Sequence, residues 1–141
     1  MKRVLCILAV AMVVCCLFTA CTLSTGFGKS QTQPKVEEMM LALAEGDDAA
    51  AQALLHPDVD ENAEEQLALI KEYLAGRQIS SLEQQNVSVN KSVGTGGTVL
   101  REEVTYQATL DDNTEIYILA SYLDDDNGEG FTAFRIAIGV A

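Results

Sequence analysis

Hydrophobic positions follow a different rule in each of four stretches of this 141-residue chain. From Val4 to Ala20 they run on without a charge, Pro or Gly, behind a start of Met1, Lys2 and Arg3. A short positive start followed by an apolar run is the pattern of a secretory signal, and residues 1–20 are read as one. A retained membrane anchor is the second reading of the same stretch. From Thr22 to Pro34 apolar residues thin out: TLSTGFGKSQTQP has one aromatic, Phe27, and too little apolar area to pack. Residues 21–34 therefore read as a tether, spanning about 20 Å by the scaling of flexible chains. Residues 35–141 carry the two periodic patterns of a folded domain, near 3.6 at first and near two afterwards.

The helical part divides into three. Val36, Met39, Met40 and Leu43 make one face of a first helix, with Gly46 as its stop. Asp47 or Asp48 can cap a short second helix over Ala49 to Leu55, ended by His56-Pro57, because Pro disfavours helical geometry in the residue before it. Asn62 and Glu65 fit the ends of a capping box for a third helix, whose stripe is Ala63, Leu67, Ile70 and Leu74, with Gly76 just past its end.

After Arg77 the pattern predicts an antiparallel meander. A first strand runs through Val87, Val89 and Val93, with a vague start at Gln84 to Asn86, and turns at Gly94-Thr95-Gly96-Gly97. In the second, Leu100, Val104, Tyr106, Ala108 and Leu110 alternate with Arg101, Glu103, Thr105, Gln107 and Thr109, so one side should be wet. Asp111-Asp112-Asn113 closes that hairpin. Glu115 to Leu123 is apolar on both faces, as a central strand would be, and Asn127-Gly128 marks the next hairpin. The last strand sets Phe134, Ile136, Ile138 and Val140 on one face and Arg135 on the other. The expected fold is α+β, with about three N-terminal helices over an antiparallel sheet of about four strands.

Charge and cysteine content narrow the function. With 9 basic and 21 acidic residues the net charge is −12, and without a basic cluster no nucleic-acid partner is expected. All four cysteines lie at or before Cys21, namely Cys6, Cys15, Cys16 and Cys21. Disulfides therefore cannot staple the domain, and a packed core must hold it.

The ending Leu17-Phe18-Thr19-Ala20-Cys21 resembles a bacterial lipobox, with Phe18 where Leu is commonest. The resemblance implies lipidation of Cys21, cleavage after Ala20, and a domain held by lipid at the outer side of the cell membrane. Ordinary signal cleavage is the alternative, although Phe18 is bulky for it. From Lys35 to Ala141, the element order, the step Leu54-Leu55-His56-Pro57-Asp58 and the closing strand Phe131 to Ile138 are similar to the cone-shaped superfamily of nuclear transport factor two and ketosteroid isomerase. A cystatin-like domain or another α+β sandwich has the same element order. The resemblance implies a fold, while activity must be argued from a site.

Candidate chemistry is sparse. Isomerase-like catalysis needs a carboxyl group and a hydroxyl donor facing an apolar pocket. Glu102, between Leu100 and Val104, is the one acid on an apolar strand face, and Tyr106 and Tyr122 can supply the donor. A strand end or bulge returning Glu102 to solvent is the plainer reading. His56, the only histidine, has Asp58 nearby, but Pro57 between them marks a turn. Asp124, Asp125, Asp126 and Glu129 form an acidic turn in which the place of an EF-hand's final Glu is taken by Arg135. No metal and no cofactor are expected, and no Walker-type or Gly-x-Gly-x-x-Gly loop is present. Met39 and Met40 suit core packing or an adaptable contact. The expected function is a lipid-anchored, non-enzymatic module that binds a small apolar molecule or an envelope protein in its helix–sheet cleft. The alternatives are a small isomerase or dehydratase using Glu102, and a structural envelope protein.

Overall fold

The computed structural model describes residues 30–139. The apolar run, Cys21, Val140 and Ala141 lie outside the described residues. Among the described residues, three helices precede a four-stranded sheet: α1 (Gln33–Glu45), α2 (Asp48–Ala53), α3 (Ala63–Leu74), β1 (Ile79–Gly94), β2 (Gly97–Leu110), β3 (Glu115–Asp125) and β4 (Gly128–Ile138). The strands pair antiparallel in the order β1-β2-β3-β4, so sequence neighbours are spatial neighbours throughout. The α+β class and the helix-then-sheet order expected from the periodicities are what the chain adopts. No helix among the described residues is long and apolar enough to cross a membrane.

The helices follow their stripes. Val36, Met39, Met40 and Leu43 of α1 are buried, and Gly46 ends the helix in left-handed geometry at φ 76°, a conformation that spares only glycine a Cβ clash. Asp47 caps α2 by accepting the Ala50 N–H at 3.0 Å. The capping box expected at α3 does not form: Asn62 is at the N-cap position without a side-chain cap bond. Instead the Asn62 N–H donates to Asp60 at 3.3 Å, an Asx-type turn that competes with the cap. At the other end of α3, Arg77 donates to the Leu74 carbonyl at 2.9 Å and to Asp112 at 2.8 Å, tying the helix to the β2–β3 turn.

One layer of helices covers one face of the sheet. Val104, Tyr106, Ala108 and Leu110 of β2, Ile116, Ile118, Ala120 and Tyr122 of β3, and Phe131 and Phe134 of β4 meet α1 and α3 in a single core. β3 is a central strand, as expected, between β2 and β4; on its outer face Tyr117 and Leu119 are 36% and 43% exposed, because no described element packs there. β1 starts eight residues before Val87, and the vague stretch at Gln84 to Asn86 is a register shift within it. Val89 and Val93 share the expected face yet remain exposed, since the strand outruns the helices. At the N-terminus the fold starts earlier than Lys35: Ser30 and Thr32, read as tether, are buried against the sheet.

Candidate functional site

Period-two alternation along β2 and β3 brings the three sequence candidates to the helix-covered face. Glu102 and Tyr122 are cross-strand partners, and Tyr106 lies four residues further along β2 on the same side. Glu102 does not return to solvent at a strand end. It is 3% exposed and accepts hydrogen bonds from the Ser30 hydroxyl and, at 3.2 Å, from the Thr32 hydroxyl. The Ser30 N–H meanwhile donates to the Gln84 amide oxygen at 2.6 Å. Ser30 and Thr32 thus form a polar lid over Glu102 at the entry to α1. Sequence reading missed them because short hydroxyl residues without an apolar stripe look like linker. The available signal was Pro34 just inside the helix start, which places Thr32 at its N-cap.

Nothing opens this cluster to a ligand. Tyr106 is fully buried, and its hydroxyl lies near the Ser30 and Thr32 hydroxyls without a well-formed hydrogen bond among the described residues. Burial raises its pKa, with partial offset from the Ser30 and Thr32 hydroxyls, which spend their donors on Glu102. Leu74 is fully buried and Leu67 and Ile70 nearly so, which fills the space between α3 and the sheet. Tyr122 serves as a clamp, with its hydroxyl donating to Glu129 at 2.7 Å while Lys35 sits 5.0 Å over its ring and 3.1 Å from Glu129. Burial raises the Tyr122 pKa. The Tyr122 hydroxyl, and after it Lys35, hold the Glu129 carboxyl below its usual range. A carboxyl and a tyrosine do share an apolar interior, as isomerase-like chemistry requires, but both are buried there under Ser30, Thr32 and the helices.

His56 belongs to a second cluster. It is buried, its Nδ1 accepts the Asp58 N–H at 3.0 Å, and its Nε2 lies 3.2 Å from both Asp125 Oδ1 and the Gly128 carbonyl. That pattern puts the proton on Nε2, facing two acceptors. Asp125 is held below the usual carboxyl range chiefly by the Asn127 N–H, with His56 adding to it against partial burial. The ligand atoms of His56, Asp58 and Asp125 lie within 4.8 Å of one another. However, a nitrogen that carries a proton has no lone pair for a metal, and the other nitrogen is already occupied. The cluster therefore acts as a clasp between the α2–α3 connection and the β3–β4 hairpin. Beside it, Phe131 exchanges backbone bonds with Leu54 at 2.8 Å and with His56 at 3.0 Å. This fixes the start of β4.

Surface concavities lie elsewhere. A groove of about 540 Å³ runs between α3 and β4, walled by Leu69, Ile70, Tyr73, Phe134, Ile136 and Ile138, with Gln66 and Arg135 at its rim. It falls within the size range of ligand sites and is mostly apolar, as they are. Leu69 and Ile138 are 60% and 58% exposed, unusually so for side chains of their size. Smaller concavities between α1 and β1, among the helices, and on the outer sheet face are more polar and are lined by other residues than Glu102, Tyr106 and Tyr122. The groove's sequence signal was Leu69, an apolar residue one position off the α3 stripe, together with the apolar end of β4. Compared with models of known protein families and with curated protein sequences, the chain matches none.

Proposed function

We propose that the protein is a lipid-anchored, extracytoplasmic binding module, without catalysis of its own, that holds an apolar ligand or partner in the groove between α3 and β4. The observation that carries this reading is the groove itself, a roomy apolar concavity bordered by exposed Leu69 and Ile138. The sealed setting of Glu102 supports the absence of catalysis, since an isomerase-like role would first require Ser30 and Thr32 to leave it. The anchor rests on the lipobox-like residues before Cys21 and on an acidic chain with little electrostatic attraction to anionic lipid.

Titrating the full chain with anilinonaphthalene sulfonate, an apolar anion that fluoresces when it leaves water, tests the groove. One saturable site that Leu69→Asp abolishes is expected. No saturable binding, or binding unchanged in that variant, would refute the reading. For the anchor, Cys21→Ser should move the protein from the membrane fraction to the soluble fraction. Membrane attachment that persists in this variant with unchanged mass would rule lipidation out.

A further inference from the structure

We infer that the groove takes an extended peptide segment of a partner protein, added as a fifth strand along β4, with apolar side chains in the groove and a carboxylate at Arg135. This rests on the groove being the binding site, as proposed above, and identifies its occupant.

Three observations converge on β4. The first is its free edge. Leu55 bridges to Phe131 and uses only the start of the strand, and beyond it no backbone partner lies on the outer side of β4 among the described residues. Thr132 to Ile138 then offers about 23 Å of unpaired edge at about 3.3 Å per residue. Unpaired edges are ready templates for strand addition, and proteins usually blunt them. β1, at the opposite edge, is interrupted by two register shifts and places polar residues at most of its positions, whereas β4 has one shift, at Thr132, and pairs regularly from Ala133 to Ile138.

The second is that the free edge and the apolar groove are contiguous. Phe134, Ile136 and Ile138 belong to both, so alternate side chains of an added strand would hang over the groove toward Leu69 and Tyr73. A small apolar acid would fill the groove while leaving the backbone edge unpaired.

Charge is the third. Lys35, Lys71 and Arg77 each face a carboxylate within 3.1 Å. Arg135, midway along the free edge, shares with Lys91 and Arg101 the lack of an ion-pair partner among the described residues, and of these three it alone lies on β4, in a chain of net charge −12. Arg135 alternates with the groove residues and also lines the outer sheet face, so it would meet the outward-facing side chains of an added strand, where an acidic residue or a terminal carboxylate matches it. It also disfavours a second copy of this chain. Two β4 edges paired about a twofold axis at the middle of the free stretch would set Arg135 against Arg135, and like charges directly opposite are destabilising.

Panning a phage-displayed library of random dodecapeptides against the full chain tests the assignment, with enriched peptides then synthesised and measured by fluorescence anisotropy. Enriched peptides should alternate apolar and polar residues and carry an acidic group. Their affinity should fall at least tenfold in Arg135→Glu and in Leu69→Asp, and they should slow amide exchange across Ala133 to Ile138. Peptides that leave those amides unprotected, or that bind both variants unchanged, would overturn the inference. If no peptide is enriched while anilinonaphthalene sulfonate still binds the groove, the peptide assignment falls and the binding-module reading stands; if the probe fails too, both fall. A concentration-dependent dimer in sedimentation that protects the same amides would overturn it in favour of self-association.

Discussion

Gly130 lies where β4 passes closest to the α2–α3 connection, and adding one methyl group there should cost several kcal/mol. A Cβ on Gly130 would lie 2.4 Å from the His56 nitrogen and 2.5 Å and 2.8 Å from the Leu55 carbonyl carbon and oxygen. All three are backbone atoms, so no side chain can swing aside to relieve the overlap. Relief requires residues 54–56 to draw back from β4, stretching the Phe131 N–H bond to Leu54 and the His56 N–H bond to Phe131. Each such bond contributes about 1 kcal/mol net, and overpacking a tight site adds about 1–3 kcal/mol. Gly130→Ala should therefore destabilise the domain by about 3 kcal/mol, a large share of the roughly 5–15 kcal/mol typical of a whole protein. At about 4–8 °C per kcal/mol for a domain near this size, Tm should fall by roughly 12–24 °C. Urea and thermal unfolding followed by circular dichroism measure both quantities. Gly94→Ala is the control, because nothing lies within 4 Å of a Cβ there, and it should stay within about 0.5 kcal/mol of wild type. A Gly130→Ala change no larger than that of the control would refute the tight coupling of β4 to the α2–α3 connection.

Tyr106→Phe should leave stability unchanged or raise it by up to about 1 kcal/mol, because it removes a buried hydroxyl that has no hydrogen-bond partner among the described residues; a loss above 1 kcal/mol in urea unfolding would show that the hydroxyl is bonded. Leu69→Asp and Ile138→Asp replace largely exposed side chains and should shift unfolding by less than about 0.5 kcal/mol while abolishing groove binding. Loss of both binding and stability would assign them to the core instead. Asp112, bonded by Thr114 and then Arg77, has its pKa lowered to about 2 from 3.8. A lowered folded-state pKa contributes stability that is complete above the unfolded value and lost as pH falls through the folded one. Between about pH 4 and pH 2 the wild-type Tm should therefore fall more steeply than that of Asp112→Asn, and parallel curves would contradict the bond.

Much of this fold is legible because its burial is one-sided. The α3 stripe of Leu67, Ile70 and Leu74 and the alternation of Val104, Tyr106, Ala108 and Leu110 each bury the side that the pattern names. Glu102 could be placed on the apolar face by counting, but its environment could not, because the hydroxyls over it come from residues 70 and 72 positions earlier. The apolar pattern of β3 rightly marks it as central within the sheet, but centrality concerns its strand neighbours and does not say whether a second layer covers Tyr117 and Leu119. His56 looked like loop chemistry next to a Pro. Its partners Asp125 and Gly128 reach it only through the β3–β4 hairpin. The groove escapes sequence reading because it is a gap between elements, formed where α3 and β4 diverge, and not a property of either.

The central claim is that this domain binds through the groove between α3 and β4 and not through its interior. Chemical-shift mapping of the isotope-labelled full chain during titration with anilinonaphthalene sulfonate tests it most directly. The account predicts saturable shifts at Leu69, Tyr73 and Phe134 to Ile138, with Glu102, Tyr106 and Tyr122 unmoved. Saturable shifts centred on Glu102, Tyr106 and Ser30 would contradict it and return the search to an interior site.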